Sequence, residues 1–185
     1  MNLSDAIKDR MPQSLLDKVS EYKEYIPEPI RQKVMLKVWS LLNVPLIHWV
    51  RPKIIEMNED RTVFEIPLNW RTKNHLGSMY FGALAIGADA TCGFLAISQL
   101  EKSGRPYSLV FKDLQANFLK RAEGDAIFTC NEGEKVGRLV QRALDSLQRE
   151  EEKLKVVITC PDCLGETPVA EFTMTLSIKI RSDKH

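Results

Sequence analysis

The sequence predicts an α+β domain in which an antiparallel sheet of about six strands wraps around one apolar helix. Short segments with alternating polar and apolar residues outnumber the helical segments and are joined by short turns, which favours antiparallel pairing. Residues 80–97, in contrast, form an apolar stretch of helical length. A helix that is hydrophobic on all sides has to be buried, and the sheet is the element able to enclose it.

Composition and charge exclude several classes of protein. The 185 residues include 26 Lys and Arg and 25 Asp and Glu, and the net charge of +1 favours neither nucleic acid nor an anionic membrane as a partner. The start of the chain carries charges where a signal peptide would be apolar. Residues 80–97 fall short of the ~20 uninterrupted apolar residues of a membrane span. We therefore expect a cytoplasmic protein with no membrane span and no nucleic-acid partner.

Residues 1–47 predict an N-terminal helical extension. Residues 5–26 are charged and amphipathic, and residues 28–42 begin near Pro29, where a missing N–H is harmless to a helix. The second segment has one apolar stripe, formed by Ile30, Val34, Val38, Leu41 and Leu42. We expect this extension to pack on the main domain without contributing to a site.

Residues 48–183 predict the main domain. Two short strands are predicted at residues 53–60 and 61–68. The Asn-Glu-Asp sequence between them is typical of a turn, so the pair indicates a hairpin. The strands predicted after the apolar helix are residues 107–120, 125–132, 154–160 and 168–181. An amphipathic helix is predicted as an insertion at about 134–152, with apolar residues at helical spacing.

The four cysteines suggest no metal centre. Cys160 and Cys163 have the C-x-x-C spacing of zinc and redox sites, but no second pair or histidine cluster completes a tetrahedral set. A redox motif normally opens a helix, whereas Cys160 ends a strand-like run and Pro-Asp follows as a turn signal. We interpret the motif as a turn flanked by reduced thiols, and we expect neither a metal nor a cofactor.

Asp89 is the carboxylate in the apolar helix. Burial of an unpaired carboxylate costs several kcal/mol, so Asp89 should have a partner, a raised pKa or a water-filled cleft. It either ties the helix to a neighbouring group or belongs to a functional site. The helix is expected to begin near Phe81–Gly82, where unpaired N–H groups suit a developing oxyanion. Because Asp89 lies ~10 Å along the axis from Gly82, a second, antiparallel chain is needed to bring the two groups together.

Lys112 is unexpected on its strand. By simple alternation it shares the apolar face of Val110, Leu114, Ala116 and Phe118. It is a candidate partner for Asp89 or for an anionic ligand. The alternative is a lysine whose stem covers the edge of the sheet while its ammonium reaches water.

Asn74, Gly77, Gly82 and Asp89, followed by FLKRAEGDAIF, resemble the hot-dog fold and specifically the PaaI-like acyl-CoA thioesterase branch. Tyr80-Phe81-Gly82 stands where that branch has His-Gly-Gly. The resemblance covers about residues 48–181 and is closest to a subgroup described mainly as a domain of unknown function. It implies hydrolysis of an acyl-CoA or acyl-carrier thioester at a site shared between two subunits, in a homodimer or a dimer of dimers.

The resemblance also implies roles for individual residues. The Gly82 N–H would polarise the thioester carbonyl, Asn74 would orient substrate or water, and Asp89 of the facing chain would act as general base or nucleophile. Substrate contacts are expected at Gly77, Tyr80 and Phe81, with Lys112 as a further candidate. Arg71, Lys73, Lys120 and Arg121 are either contacts for CoA phosphates or ordinary solvated surface.

Two other functions remain open. A non-catalytic binder of acyl-CoA or fatty acid would keep the fold and the apolar slot without the chemistry. A dehydratase or hydratase of the related branch would use an Asp/His pair, but His75 follows Asn74 directly and does not stand at the helix start. Turnover of a thioester distinguishes a thioesterase from a binder.

Overall fold

A computed structural model describes residues 27–181, so the amphipathic segment expected at residues 5–26 lies outside the described part of the chain. Six strands form one antiparallel sheet in the order β1-β2-β4-β5-β6-β3, which confirms the predicted fold class. The strands are β1 (Lys53–Met57), β2 (Thr62–Ile66), β3 (Tyr107–Phe118), β4 (Ala126–Cys130), β5 (Arg149–Cys160) and β6 (Gly165–Ile180). The helices are α1 (Glu28–Asn43), α2 (Pro45–Val50), α3 (Phe81–Leu100), α4 (Gly133–Ser146) and the single turn α5 (Pro161–Leu164), and a 3-10 turn covers Glu101–Ser103.

The apolar segment forms α3, the core helix, and most of its side chains are buried against the sheet. Small residues allow helix and sheet to approach closely: a Cβ at Gly87 would lie 2.4 Å from the Phe128 ring and 2.8 Å from Ile66 Cδ1. By length and composition alone, Phe81–Ser103 is apolar enough to cross a membrane, but 67% of its most apolar window is buried inside the protein. The sheet therefore supplies the apolar environment that this helix requires.

Strand order separates segments that are neighbours in sequence. The predicted hairpin is confirmed, since β1 pairs with β2 and the Asn58 side chain accepts the N–H groups of Asp60 and Arg61, each at 2.9 Å. The strands β3 and β4, although joined by a short loop, do not pair, because β3 lies beside β6 at the far edge. One long strand is thus left at an edge, and no strand in the described part of the chain pairs with its outer side.

A β-bulge at Lys112 changes the predicted faces of β3. The register moves from Phe111 opposite Leu176 to Asp113 opposite Thr175, so Lys112 is the extra residue. As a result Val110 is on the opposite face from Leu114, and the prediction of one continuous face through residues 110–118 is wrong. The register places Phe111 and Leu114 on the side of the buried residues Leu176 and Met174.

The inserted helix is shorter than predicted. α4 ends at Ser146 and not near residue 152, and Leu147 closes it in the left-handed conformation at φ 54°. From Arg149 the chain is already in β5 and pairs with β6, starting opposite Lys179. Helix-favouring residues are thus held as strand by backbone hydrogen bonds to a distant segment, a tertiary effect that outweighs local propensity.

The N-terminal helix α1 packs through a different face from the one predicted. Ile30, Val34 and Leu41 of the predicted stripe are more than half exposed, whereas Leu36 and Ser40 are buried. The Trp39 ring meets the Phe94 ring edge to face at a centroid distance of 5.2 Å, which fixes α1 against α3. The side of α1 bearing Leu36, Trp39 and Ser40 therefore faces the domain.

Replacement of Gly87 tests the close approach of α3 to the sheet. Gly87→Ala should lower the free energy of unfolding by about 1–3 kcal/mol, because the new methyl group meets the Phe128 ring. Gly93→Ala is the matched control on the same helix, since its Cβ would find its nearest neighbour, Phe111, at 3.9 Å. The control should be neutral or stabilising by up to about 1 kcal/mol through helix propensity. Urea unfolding checks both values, and equal effects of the two variants would contradict the packing argument.

Candidate active site

Asp89 lies on the third turn of α3 and lines a cavity of about 520 Å³. The cavity is bounded by α1, α2, the middle of α3 and the first half of β3, with Arg181 also in its wall, and its lining is mainly apolar. Its volume is within the range of pockets that hold small ligands, ~300–1,000 Å³. The partly buried carboxylate is thus at the wall of a ligand-sized space.

The Asp89 carboxyl is desolvated without compensation. Among the side chains that the structure describes, it has no hydrogen-bond donor and no cationic partner. Burial raises its pKa from 3.8 to about 6. A carboxyl group with this pKa is mostly ionised at neutral pH and is more basic than an ordinary aspartate, which suits proton transfer.

The helix α1 supplies one wall of this cavity, contrary to the expectation that the N-terminal extension contributes nothing to a site. Trp39 and Asn43 line the space opposite Asp89, and the Asn43 side chain donates to the Trp39 carbonyl at 3.0 Å. The only signal in the sequence for Trp39 and Asn43 is that they bear polar atoms among apolar neighbours. Their position facing the core follows from the packing of α1. The extension is therefore part of the pocket.

Asn74 organises the loop that leads into α3. Its side-chain oxygen accepts the Leu76 N–H at 2.9 Å and its side-chain nitrogen donates to the Ser78 hydroxyl at 3.1 Å. Its backbone N–H donates to the Ser78 carbonyl at 2.8 Å, and Gly77 completes the turn at φ 82°. These contacts give Asn74 a loop-positioning role in the isolated chain.

The start of α3 has open backbone donors. Tyr80 precedes the helix without a capping side chain, and the N–H groups of Phe81 and Gly82 have no acceptor within the described residues. The Tyr80 ring lies over Gly82, where a Cβ would come within 2.4 Å of it, and it contacts the Phe81 ring at a centroid distance of 4.7 Å. The two free N–H groups and the positive end of the helix dipole form a site for a negatively charged oxygen beside two aromatic rings.

One chain does not bring the predicted site residues together. Asn74, Gly77, Tyr80, Phe81 and Gly82 gather at the start of α3, whereas Asp89 lines the cavity about two turns further on. Between them runs a stripe on α3 that its own sheet leaves partly uncovered, formed by Gly82, Ala85, Ile86 and Asp89. The carboxylate and the helix start thus lie at two ends of one open stripe.

Lys112 lies away from this stripe. Its ammonium donates to Glu151 at 2.9 Å, with 60% of the lysine side chain exposed. This ion pair raises the pKa of Lys112, because the Glu151 carboxylate favours the charged ammonium. The structure therefore pairs Lys112 with Glu151 and not with Asp89.

The other candidate groups are dispersed. The Arg71 guanidinium lies over the rings of Trp70 and Trp49, at 4.5 and 5.2 Å from their centroids, whereas Lys73, Lys120 and Arg121 are exposed. Among the described residues, no group of three or more His, Cys, Asp or Glu residues is arranged to hold a metal ion. The polar side chains that line the cavity with Asp89 include Asn43, Ser108 and Arg181.

Comparison with known proteins places the chain among hot-dog proteins. A Pseudomonas aeruginosa protein of unknown function, described as a "probable thioesterase", superposes with a TM-score of 0.68 at 20% identity over 84% of this chain and 99% of its own. A Chlorobaculum tepidum protein of unknown function superposes with a TM-score of 0.71 at 16% identity, over 83% of this chain and 97% of its own. A thioesterase from Haemophilus influenzae superposes with a TM-score of 0.58 at 16% identity, over 79% of this chain and 91% of its own. At these identities the similarity establishes the fold.

The sequence itself matches one family. No curated protein matches it, but the model of a family described as Domain of unknown function (DUF4442) matches residues 32–178. That range includes most of α1, the core helix and the entire sheet except its last two residues. The protein has the hot-dog fold and belongs to the DUF4442 family.

Proposed function

We propose that the protein hydrolyses acyl thioesters, acyl-CoA or acyl-carrier, at a site shared between two copies of the chain. The observation that carries this proposal is Asp89, a largely desolvated carboxylate that has no partner among the described side chains and lies at the wall of a cavity of about 520 Å³. The thioesterase descriptions of several proteins with this fold, and the resemblance to the PaaI-like branch, support the same reaction class. The largely apolar lining suits an acyl chain.

The proposed chemistry divides between the two ends of the uncovered stripe. The Gly82 N–H of one chain donates to the thioester carbonyl oxygen and stabilises the negative charge that develops on it. Asp89 of the facing chain takes a proton from a water molecule as that water attacks the carbonyl carbon. Asn74 is a positioning residue, because its contacts with Leu76 and Ser78 hold the loop before α3.

Two features of the chain support a facing copy. On β3, the register places Leu114 and Phe118 on the helix-facing side of the sheet, yet they are 47% and 55% exposed. The same strand is an edge without a partner strand among residues 27–181, and an edge is the element to which another strand adds most readily. An antiparallel copy beside β3 would cover these side chains and would bring its stripe towards Asp89.

A non-catalytic acyl binder is the second candidate. It is favoured by Tyr80 and Phe81, whose rings stand in contact at the helix start where the resembling enzymes have His-Gly. The two functions differ in a single measurable property, the release of free thiol from a bound thioester.

Asp89→Asn tests the catalytic role. The amide keeps the shape of the side chain but cannot accept the proton, so kcat on a panel of acyl-CoA thioesters should fall about 100- to 10,000-fold. Asp145→Asn, an exposed aspartate on α4, is the matched control and should leave kcat unchanged. Unchanged turnover in Asp89→Asn would remove Asp89 from the mechanism. Saturable acyl-CoA binding without any turnover by the unaltered protein would favour the binder.

The pH dependence of kcat/KM follows from the raised pKa of Asp89. The proposed base is the ionised carboxylate, so kcat/KM should fall as pH decreases through about 6 and reach a plateau above it. An aspartate exposed to water would place this limb near pH 4. Initial rates between pH 4.5 and 8 with one acyl-CoA check the expectation, and an acidic limb near 4 would contradict it.

Mixed dimers test whether the site is shared. Gly82→Pro removes the proposed N–H donor in the first helical turn, and its Cβ requires the Tyr80 ring, 2.4 Å away, to move aside. Asp89→Asn removes the base. A heterodimer of the two variants has one site with both defects and one intact site. Random pairing should therefore restore about a quarter of the unaltered activity, because half of the dimers are mixed and half of their sites are intact. A site contained within one chain would give no recovery.

A further inference from the structure

The CPDC segment places two different thiols in one helical turn. Cys160 is the last residue of β5 and is fully buried, whereas Cys163 lies in α5 and is exposed. Residues three apart in one helical turn are about 5–6 Å from each other, which is within the range that a disulfide spans. All four cysteines of the chain are described, and all are free thiols.

Both sulfur atoms converge on Gly124. A Cβ at this glycine would lie 2.8 Å from Cys163 Sγ and 3.1 Å from Cys160 Sγ, so the absence of a side chain leaves room for the pair. Cys92 and Cys130 are a useful contrast, because their sulfur atoms are 3.7 Å apart but both residues are fully buried. Of the two close pairs, only the CPDC pair has a sulfur that solvent can reach.

We propose that Cys160 and Cys163 form a reversible disulfide by exchange with a low-molecular-weight disulfide, and that this disulfide loosens the loop that supports the start of α3. The proposal concerns a site separate from Asp89 and does not depend on thioester hydrolysis. It is compatible with the interpretation of the motif as a turn flanked by reduced thiols, since Pro161–Leu164 is a single helical turn and both thiols are free.

The reaction proceeds in two balanced steps. The exposed Cys163 thiol loses a proton and its thiolate attacks one sulfur of glutathione disulfide, which releases one glutathione thiolate. Cys160 then loses its proton, attacks the Cys163 sulfur and releases the second glutathione thiolate. Two protein thiols are oxidised to one disulfide, one glutathione disulfide is reduced to two glutathione molecules, and the two protons pass to the released thiolates.

The environments of the two thiols determine which of them reacts first with the external disulfide. Burial raises the pKa of Cys160 to about 11, so this thiol is protonated at neutral pH and does not attack first. The backbone N–H groups of Glu123 and Gly124 donate towards its sulfur and favour the thiolate that the second step requires. Cys163 therefore attacks the external disulfide, and Cys160 resolves the mixed disulfide that results.

The loop around Gly124 connects the thiols to the start of α3. Two residues before Gly124, the Ala122 carbonyl accepts the Met79 N–H at 2.8 Å. Directly after it, Asp125 accepts the Leu68 N–H at 2.8 Å. A disulfide turns the Cys160 sulfur towards Cys163 and weakens its hold on the Glu123 and Gly124 amides, so the support of Met79 should weaken too.

Differential alkylation in glutathione buffers tests the site. With increasing glutathione disulfide, the full chain should lose two alkylatable thiols, both within the peptide that contains Cys160 and Cys163. Cys92 and Cys130 are the internal control and should remain free thiols throughout. Cys160→Ala should trap a mixed disulfide of glutathione with Cys163, and the exposed substitution Cys163→Ser should abolish all modification. Continued alkylation of Cys163, or a mixed disulfide as the end product in the unaltered chain, would overturn the proposal.

Hydrogen–deuterium exchange tests the effect on the loop. Oxidation should increase amide exchange at Met79 and over residues 120–125, and reduction should reverse it. Residues 136–143 of α4, which are not connected to this loop, are the control and should exchange equally in both states. Equal exchange at Met79 in the oxidised and reduced protein would overturn the proposed link to α3.

Discussion

The structure depends on enclosing an apolar helix that carries an uncompensated carboxylate. A rise in the Asp89 pKa from 3.8 to about 6 corresponds to about 3 kcal/mol of lost stability when the carboxylate is ionised. Because the pKa of this acid is higher in the folded state than in the unfolded state, ionisation destabilises the fold. The loss of stability is absent below the unfolded-state pKa, grows as pH rises between the two pKa values and is complete above about pH 6. The free energy of unfolding of a typical domain is only about 5–15 kcal/mol. Burial of the other, apolar side chains of α3 offsets the loss at Asp89.

The sheet positions the two ends of the candidate site through one contact surface. Gly87 lets the helix approach Phe128 and Ile66, so the buried side of α3 is held rigidly. The opposite side then presents the first-turn amides and Asp89 along one stripe. Because both groups are on the same helix, their separation cannot change, and the proposed reaction therefore takes the donor from one chain and the base from the other.

Three peripheral features shape the surroundings of the candidate site: α1, the bulge at Lys112 and the loop at Gly124. α1 closes the cavity with Trp39 and Asn43, so the space beside Asp89 is narrower than the sheet and α3 alone would leave. The bulge at Lys112 turns Phe111 towards the cavity and keeps the lysine at the surface with Glu151. The loop at Gly124 joins the cysteine turn to the start of α3, which places a redox-sensitive pair within reach of the site without exposing the core.

Periodicity and turn chemistry determined much of the architecture from the sequence alone. The apolar helix starting at Phe81, the hairpin around Asn58, the helix of α1 and the number of strands all follow from short-range patterns, which are legible because side chains within a few residues share one environment. Asp89 could be singled out for the same reason, since a lone carboxylate conflicts with its apolar neighbours.

Other features depend on contacts between distant segments, and no local pattern encodes them. The end of α4 follows from the pairing of residues 149–153 with β6, the Lys112 bulge from the register against Leu176 and Thr175, and the buried face of α1 from the contact of Trp39 with Phe94. The sequence by itself determined which elements form and which carboxylate lies among apolar residues. Only the tertiary structure decided what that carboxylate faces, because the walls of its cavity come from four elements, α1, α2, α3 and β3, that meet only after the chain has folded.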